Sequence, residues 1–277
     1  MSTRRETVRL IASAITPLYD PREAESIARM VVMEALGVDF THLVADYDAP
    51  CAIEGLDDMV ADLRRGRPVQ YVLGHAGFCG FDFAVREGVL IPRPETAELV
   101  ERIAAATAAG ARILDVGTGS GAIAVSLARM IPDSSVAAVD ISEEALAVAR
   151  ENAARNGVEV DFRLADALGD LRWLGTFDAI VSNPPYVPRS DRASMHTNVR
   201  DYEPSGALFV DDGDPLIFYR SIARNASEML REGGRLWFEI YEKYGGEVCR
   251  MLDGMGFRDT GIAADAAMKP RMVWCRK

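Results

Sequence analysis

From about residue 95 onward, short apolar runs alternate with longer segments of helical periodicity. The runs at 112–116, 136–139, 158–164, 177–182 and 235–240 have the length and β-branched content of buried strands. Between them, 122–130, 143–156 and about 215–231 place apolar residues at helical spacing. Another helix ends near Gly254, and 271–275 reads as a closing strand. Parallel strands need a long crossover, and a helix supplies it while covering one face of the sheet. The alternation therefore predicts an α/β fold: a mostly parallel sheet with helices on both faces.

The residues before this part follow a different pattern. The first 65 or so read as helices. Asp20 is a capping residue, Pro21 suits the first helical position, and Glu23 completes a capping box. Ala24, Ile27, Ala28, Val31, Val32 and Ala35 recur on one helical face, and Gly37 stands where a left-handed C-terminal residue is needed. A later helix carries Ile53, Leu56, Met59, Val60 and Leu63 before Gly66. One-sided helices of this kind pack on one another as a small bundle. In 76–92, Phe78, Phe81, Phe83 and Val85 are interleaved with Gly80, Asp82, Arg86 and Gly88, a β-hairpin pattern, and Pro92 and Pro94 stiffen the exit. The expected organisation is a helical domain over 1–75, a hairpin linker over 76–92, and the α/β domain over 93–277.

Composition excludes several classes. With 277 residues and a net charge of −11, no large basic face is expected, which argues against a general nucleic-acid binder. The densest basic cluster, Arg64-Arg65-Gly66-Arg67, reads as solvated surface; Arg189, Arg192 and Arg200 follow later. Cys51, Cys79, Cys249 and Cys275 form no CxxC pair, and His42, His75 and His196 are scattered, so neither a disulfide frame nor a metal site is expected. No apolar run reaches membrane-spanning length, and the amino terminus lacks a signal core. The expectation is a cytoplasmic protein with free thiols.

The first strand runs into Asp115-Val116-Gly117-Thr118-Gly119-Ser120-Gly121, and this loop opens a helix. Glycines at 117, 119 and 121 let the backbone turn tightly and approach a ligand, or simply make a tight turn. The second strand ends in Asp140, which either accepts from ribose hydroxyls over the glycine turn or caps the helix starting near Ser142. The third ends in Asp166 and Ala167, where the carboxylate either accepts from an adenine amino group or belongs to a turn. Open α/β sheets bind ligands beyond the carboxyl ends of their strands, so three such positions after three successive strands carry more weight together than singly.

The fourth strand ends in Asn183-Pro184-Pro185-Tyr186. The prolines fix φ and remove two backbone donors, leaving carbonyls free as acceptors. Asn183 adds an amide and Tyr186 a flat face. The set suits a planar, uncharged NH2 group and points to chemistry on an amide or exocyclic amine nitrogen.

Taken together, these residues resemble a class I S-adenosylmethionine-dependent methyltransferase of the amino-group type. A second set resembles the HemK/PrmC family: 67–74, Phe78, 90–96, 99–101, 199–204, and Ala207-Leu208. The resemblance spans nearly the whole chain. It implies a Rossmann-like class I methyltransferase sheet with a small helical N-terminal domain that docks the substrate, joined by a β-hairpin. It also implies methylation of the glutamine side-chain nitrogen in the Gly-Gly-Gln loop of peptide chain release factors. The family's cofactor contacts carry over to Gly117, Thr118, Gly119, Ser120, Gly121, Asp140, Asp166, Ala167 and Asn183; its substrate contacts carry over to Asn183, Pro184, Pro185 and Tyr186. The chain departs from the family pattern at Ala97, where an acidic residue is usual, and at Ala167, where a bulky residue often covers the adenine. In Glu239-Ile240-Tyr241-Glu242 the acidic start stands without the usual glycine.

On this reading, Asn183 and the Pro184 carbonyl accept the two amide hydrogens and Tyr186 stacks on the amide, with S-adenosyl-L-homocysteine as product. Arg93 and Glu95 line the site or pair at its rim, and Glu203 braces the loop after Tyr186. No membrane partner and no direct nucleic-acid partner is expected. One alternative is methylation of an exocyclic amine, adenine N6 or guanine N2, in a nucleic acid. Another is a non-catalytic module that keeps the fold.

Overall fold

The computed structural model describes residues 2–277, which form two compact units: residues up to Gly74 with His196–Tyr202, and His75–Met195 with Glu203–Lys277.

In the first unit, a short strand β1 (Ser2–Thr3) leads into helices α1 (Arg4–Ile15), α2 (Pro21–Leu36) and α3 (Phe40–Ala45); β2 (Pro50–Cys51) pairs antiparallel with β1, and α4 (Leu56–Arg64) and α5 (Val69–Leu73) follow. Asp20 caps α2, accepting from Arg22 N and Glu23 N, with Pro21 at the helix start and Gly37 ending it at φ 63°. A capping box with both bonds closes at Thr3 and Glu6. Val8, Ile11, Ile15, Ala24, Ile27, Val31, Leu43 and Leu63 form the unit's own core, fed from the one-sided faces of α1, α2 and α4. Asp62 holds Arg65 at 2.9 Å and Arg67 at 2.7 Å, so two of the three arginines in that basic cluster are ion-paired.

The second unit opens with a hairpin, β3 (His75–Phe78) and β4 (Phe81–Ala84), turned by Cys79 at φ 50° and Gly80 at φ 78°. The ladder is confined to 75–84, and the rest of the 76–92 segment has no strand pairing. Then come α6 (Pro94–Ala106), β5 (Arg112–Val116), α7 (Ala122–Met130), β6 (Ser135–Asp140), α8 (Glu143–Arg155), β7 (Asp161–Leu164) and β8 (Phe177–Ser182). After the short β9 (Val187–Pro188), α9 (Thr197–Tyr202) belongs to the first unit, where the Tyr202 hydroxyl donates to Arg65 O and His196 stacks on Tyr19. The chain closes with α10 (Ser205–Leu208), β10 (Phe209–Val210), α11 (Ile217–Met229), β11 (Leu230–Glu239), α12 (Gly245–Gly254), β12 (Arg258–Ala264) and β13 (Pro270–Arg276).

The central sheet has seven strands in the order β12-β13-β11-β8-β5-β6-β7. β11, β8, β5, β6 and β7 run parallel, and β13 runs antiparallel to both of its neighbours. The expected α/β architecture is present. Successive side chains point to opposite faces of a strand. Accordingly Ile113, Ala138, Val181 and Trp237 pack under α6 and α7, while Leu114, Val139, Ile180 and Phe238 pack under α11 and α12.

Three strands of the central sheet differ most from expectation: β11 begins at Leu230, in a stretch the sequence reading gave to the preceding helix, and β7 and β12 also depart. β7 starts at Asp161 and not at 158, because the chain leaving α8 turns at Gly157 (φ 65°) and pairs with β6 only from Ala137↔Asp161. β12 is an edge strand absent from the sequence reading. It offers no apolar alternation because Trp274 covers it: a Cβ on Gly261 would lie 2.3 Å from the indole. Among the described residues, no helix is long and apolar enough to cross a membrane.

Candidate active site

Sheet register sets the order of the site. Val116 pairs with Ser182 on one side and Val139 on the other, and Asp140 pairs with Leu164. The carboxyl ends of β8, β5, β6 and β7 therefore stand side by side and present Asn183, Gly117, Asp140 and Asp166 along one rim. Strands lie about 4.8 Å apart, so this rim is about 14 Å long, enough for an extended ligand.

The glycine loop turns as its composition requires. Gly117, Gly119 and Gly121 have φ of 78°, 55° and 81°. Gly117 N and Thr118 N donate to Val139 O at 2.9 and 3.0 Å, curling the loop onto the end of β6, and Gly121 N donates to Thr118 O. A Cβ at Gly117 or Gly119 would enter open space, whereas one at Gly121 would stand 3.0 Å from Ala149 Cβ. The first two glycines thus leave a cradle, and the third lets α7 approach α8. Thr118 and Ser120 are buried. Thr118 donates through its hydroxyl to Asp115 Oδ2 at 2.6 Å, and burial pushes the pKa of Asp115 up to about 7.

Asp140 binds the loop itself. Its Oδ2 accepts from Gly119 N at 2.8 Å and its Oδ1 from Ser142 N at 3.0 Å. The cap of α8 is Ser142, whose hydroxyl accepts from Ala145 N. Each Asp140 oxygen retains a further lone pair. Asp166 is exposed two residues beyond β7; its Oδ1 accepts from Leu168 N at 2.8 Å in a turn closed by Gly169 N to Asp166 O. The Ala167 carbonyl accepts from the Ser221 hydroxyl.

The corner after β8 is held by hydrogen bonds. The Ser182 hydroxyl donates to Val116 O at 2.6 Å, joining β8 to the start of the glycine loop. Asn183 Nδ2 donates to Thr96 Oγ1 at 3.2 Å. Pro184 is buried and Pro185 half-buried. The Tyr186 hydroxyl donates to Glu239 Oε1 at 3.0 Å, and the ring stacks on Tyr241 with centroids 6.1 Å apart. Burial, with the Glu239 carboxylate beside it, raises the Tyr186 pKa, so the phenol stays protonated. Among the described residues, no donor reaches Asn183 Oδ1 or the Pro184 carbonyl.

Other neighbours take roles that sequence reasoning left open or missed. Arg93 pairs with the buried Glu203, and Ile91 N donates to the same carboxylate at 3.2 Å. Glu203 thus braces the segment leading into α6, and Arg93 is paired with it and not with Glu95. Asn152 on α8 donates to Ser120 O at 2.8 Å and exchanges two bonds with the Ala84 backbone, tying the hairpin to the glycine loop. Ile141 is 70% exposed directly after Asp140, and Leu168 is exposed after Asp166. Exposed apolar side chains beside the rim's carboxylates suit the flat base of a nucleoside-like ligand. The signal for Ile141 was an apolar residue in a polar strand-to-helix turn.

The model of the methyltransferase small domain family matches residues 94–201. A release factor glutamine methyltransferase of Bacteroides thetaiotaomicron is 43% identical over 267 residues, covering 95% of this chain and 96% of the relative. One of Flavobacterium psychrophilum is 38% identical over 268 residues, covering 94% of each. The crystal structure of a methyltransferase from Pyrococcus furiosus matches with a TM-score of 0.54 at 20% identity, over 72% of this chain and 89% of that one, a likeness of fold.

Proposed function

We propose the following reaction for this chain, which belongs to the release factor glutamine methyltransferase family: a methyl group passes from S-adenosylmethionine to the side-chain amide nitrogen of the glutamine in the Gly-Gly-Gln loop of peptide chain release factors. The observation that carries the site assignment is the pair of unengaged acceptors, Asn183 Oδ1 and the Pro184 carbonyl, beside a glycine loop with open space in front of it.

When bound, the cofactor's sulfonium supplies the activated methyl group. The residues of the rim suit such a ligand. Gly117, Thr118, Gly119, Ser120 and Gly121 would shape its cradle, Asp140 would accept from ribose hydroxyls with its remaining lone pairs, and Asp166 and Ala167 would flank the adenine. Ile141 and Leu168 offer apolar cover that Ala167 does not.

A primary amide nitrogen is a weak nucleophile because its lone pair is delocalised into the carbonyl. The protein's contribution is to aim it. Asn183 Oδ1 and the Pro184 carbonyl accept the two amide hydrogens and point the nitrogen at the methyl-binding side of the rim. Nitrogen gains positive charge as its new bond forms, so both acceptors hold it more strongly in the transition state than before. Positioning of this kind is worth roughly 7–11 kcal/mol. Tyr186, protonated and held by Glu239, stacks on the amide, and Pro185 keeps the turn rigid. The proton leaves to water after transfer.

The first unit is the docking domain for the release factor in this account, and the four free thiols fit a reducing, cytoplasmic setting. Nucleic-acid amine methylation is not favoured: the net charge is −11, and the two glutamine methyltransferases compared above align over nearly the full chain. Incubation with methyl-labelled cofactor and either a purified release factor or bare RNA tests the reading. Label is expected in the factor; label in RNA alone would overturn it.

A further inference from the structure

We propose that Thr96 and Glu239 are positioning residues that fix which end of the Asn183 amide faces the substrate. The inference rests on the reading in which Asn183 Oδ1 accepts the hydrogens of the substrate amide.

Glu239 ends β11 and is 1% exposed. Burial raises the Glu239 pKa; the Thr96 and Tyr186 hydroxyls and Arg271, which has its own ion pair with Asp265 at 3.2 Å, act against that rise and favour the carboxylate form. Two hydroxyls meet the buried carboxylate: Thr96 Oγ1 at 2.6 Å from Oε2, and Tyr186 OH at 3.0 Å from Oε1. Tyr219 anchors the same residue by donating to its backbone carbonyl at 3.2 Å.

The direction of each bond then follows from the inventory of donors. An ionised carboxylate only accepts, so Thr96 and Tyr186 must both donate to it. A hydroxyl has one hydrogen. With that hydrogen committed to Glu239, Thr96 can only accept from Asn183, 3.2 Å away, and only the NH2 end of an amide donates. Oδ1 is therefore left to face the rim. With the amide turned over, Oδ1 would meet a lone pair of Thr96, and a donor would face the substrate's own NH2 group. The charge of Glu239 thus orders a relay, Asn183 to Thr96 to Glu239, and the same carboxylate sets the Tyr186 ring. One buried group, which touches no substrate, places both side chains of the corner.

A wholly structural role for Thr96 would change stability and leave the chemical step alone. The test compares single-turnover rates at saturating release factor and cofactor, cofactor dissociation constants by calorimetry, and thermal unfolding for Thr96→Val, Thr96→Ser, Glu239→Gln and Asn183→Ala. Loss of one orienting hydrogen bond should slow turnover by Thr96→Val about 10- to 100-fold with cofactor affinity kept within about twofold. Thr96→Ser, which keeps the hydroxyl, should recover most of that loss. Combining Thr96→Val with Glu239→Gln should slow turnover little beyond the worse single variant, since both break one relay. A folded Thr96→Val at the wild-type rate, with Asn183→Ala inactive, would overturn the relay and leave the proposed function standing. Asn183→Ala at the wild-type rate would overturn the acceptor role of Asn183 on which the relay rests. Should Thr96→Val fail to fold, Glu239→Gln decides alone: slowed turnover with cofactor binding kept supports the relay, and an unchanged rate removes it.

Discussion

The Asp140 carboxylate accepts the Gly119 backbone N–H at 2.8 Å, linking the end of the second parallel strand to the middle of the glycine loop. The loop's conformation and the acidic rim group are therefore one construction. In the proposed role, Asp140 would meet a ribose as a carboxylate already fixed by Gly119 N on one oxygen and by Ser142 N on the other.

Asp140→Ala removes both the ribose acceptor and the pin on Gly119. Hydrogen bonds to a charged group contribute about 1.5–3 kcal/mol, so cofactor affinity should fall by about 10- to 150-fold. The rate of methyl transfer within the loaded complex should change far less. Calorimetric titration beside single-turnover kinetics measures the two separately, and an unchanged dissociation constant would remove the ribose assignment.

Asn183→Ala should give the opposite pattern. Removing one preorganised group from a developing charge slows chemistry by about 10²- to 10³-fold. Cofactor affinity should stay near the wild-type value. Loss of cofactor binding with unchanged chemistry on the bound complex would contradict the role given to Asn183.

The glycines of the loop should separate by substitution. Gly121→Ala forces a side chain into φ 81° and to within 3.1 Å of the Ala149 backbone, so a loss of about 1–3 kcal/mol in urea denaturation is expected. Gly119→Ala meets nothing within 4 Å and carries only the backbone strain of φ 55°, so it should cost less stability. Its main effect should be weaker cofactor binding, because the new methyl occupies the cradle.

Asp115 should make stability depend on pH. Burial holds its carboxyl at about 7 in the folded chain against 3.8 in the unfolded one, with Thr118 opposing the rise and the Asp140 charge adding to it. Between those values the folded state keeps a proton that the unfolded state has lost. Stability from this group is full below the lower value and is lost as pH rises toward the higher, at up to about 1.4 kcal/mol per pH unit. Asp115→Asn should abolish that decline, gaining on the wild type between about pH 4 and pH 7 in urea melts. Parallel curves for the two proteins would contradict the buried, protonated carboxyl.

The middle of the sheet was legible because β5, β6 and β8 are short apolar runs leading into Gly117, Asp140 and the Asn-Pro-Pro-Tyr corner. β5 and β8 begin and end where their residues predicted. β12 was not legible, since an edge strand built around Gly261 and covered by Trp274 needs no apolar alternation of its own. The rim residues could be read one strand at a time, whereas their neighbours across the fold could not. Thr96 and Glu239 were visible as members of separate motifs, but they stand 143 residues apart, and only the packing of α6 against β11 brings the hydroxyl to the carboxylate. The amide orientation of Asn183 depends on that contact and is written in no local pattern.

The central claim is that the methyl lands on one glutamine side chain. Peptide mass spectrometry of a release factor after incubation with this protein and S-adenosylmethionine tests it most directly. A single added methyl on the glutamine of the Gly-Gly-Gln loop, absent with Asn183→Ala, is the predicted result. A release factor left unmethylated at that residue by the active, cofactor-binding protein would contradict the account.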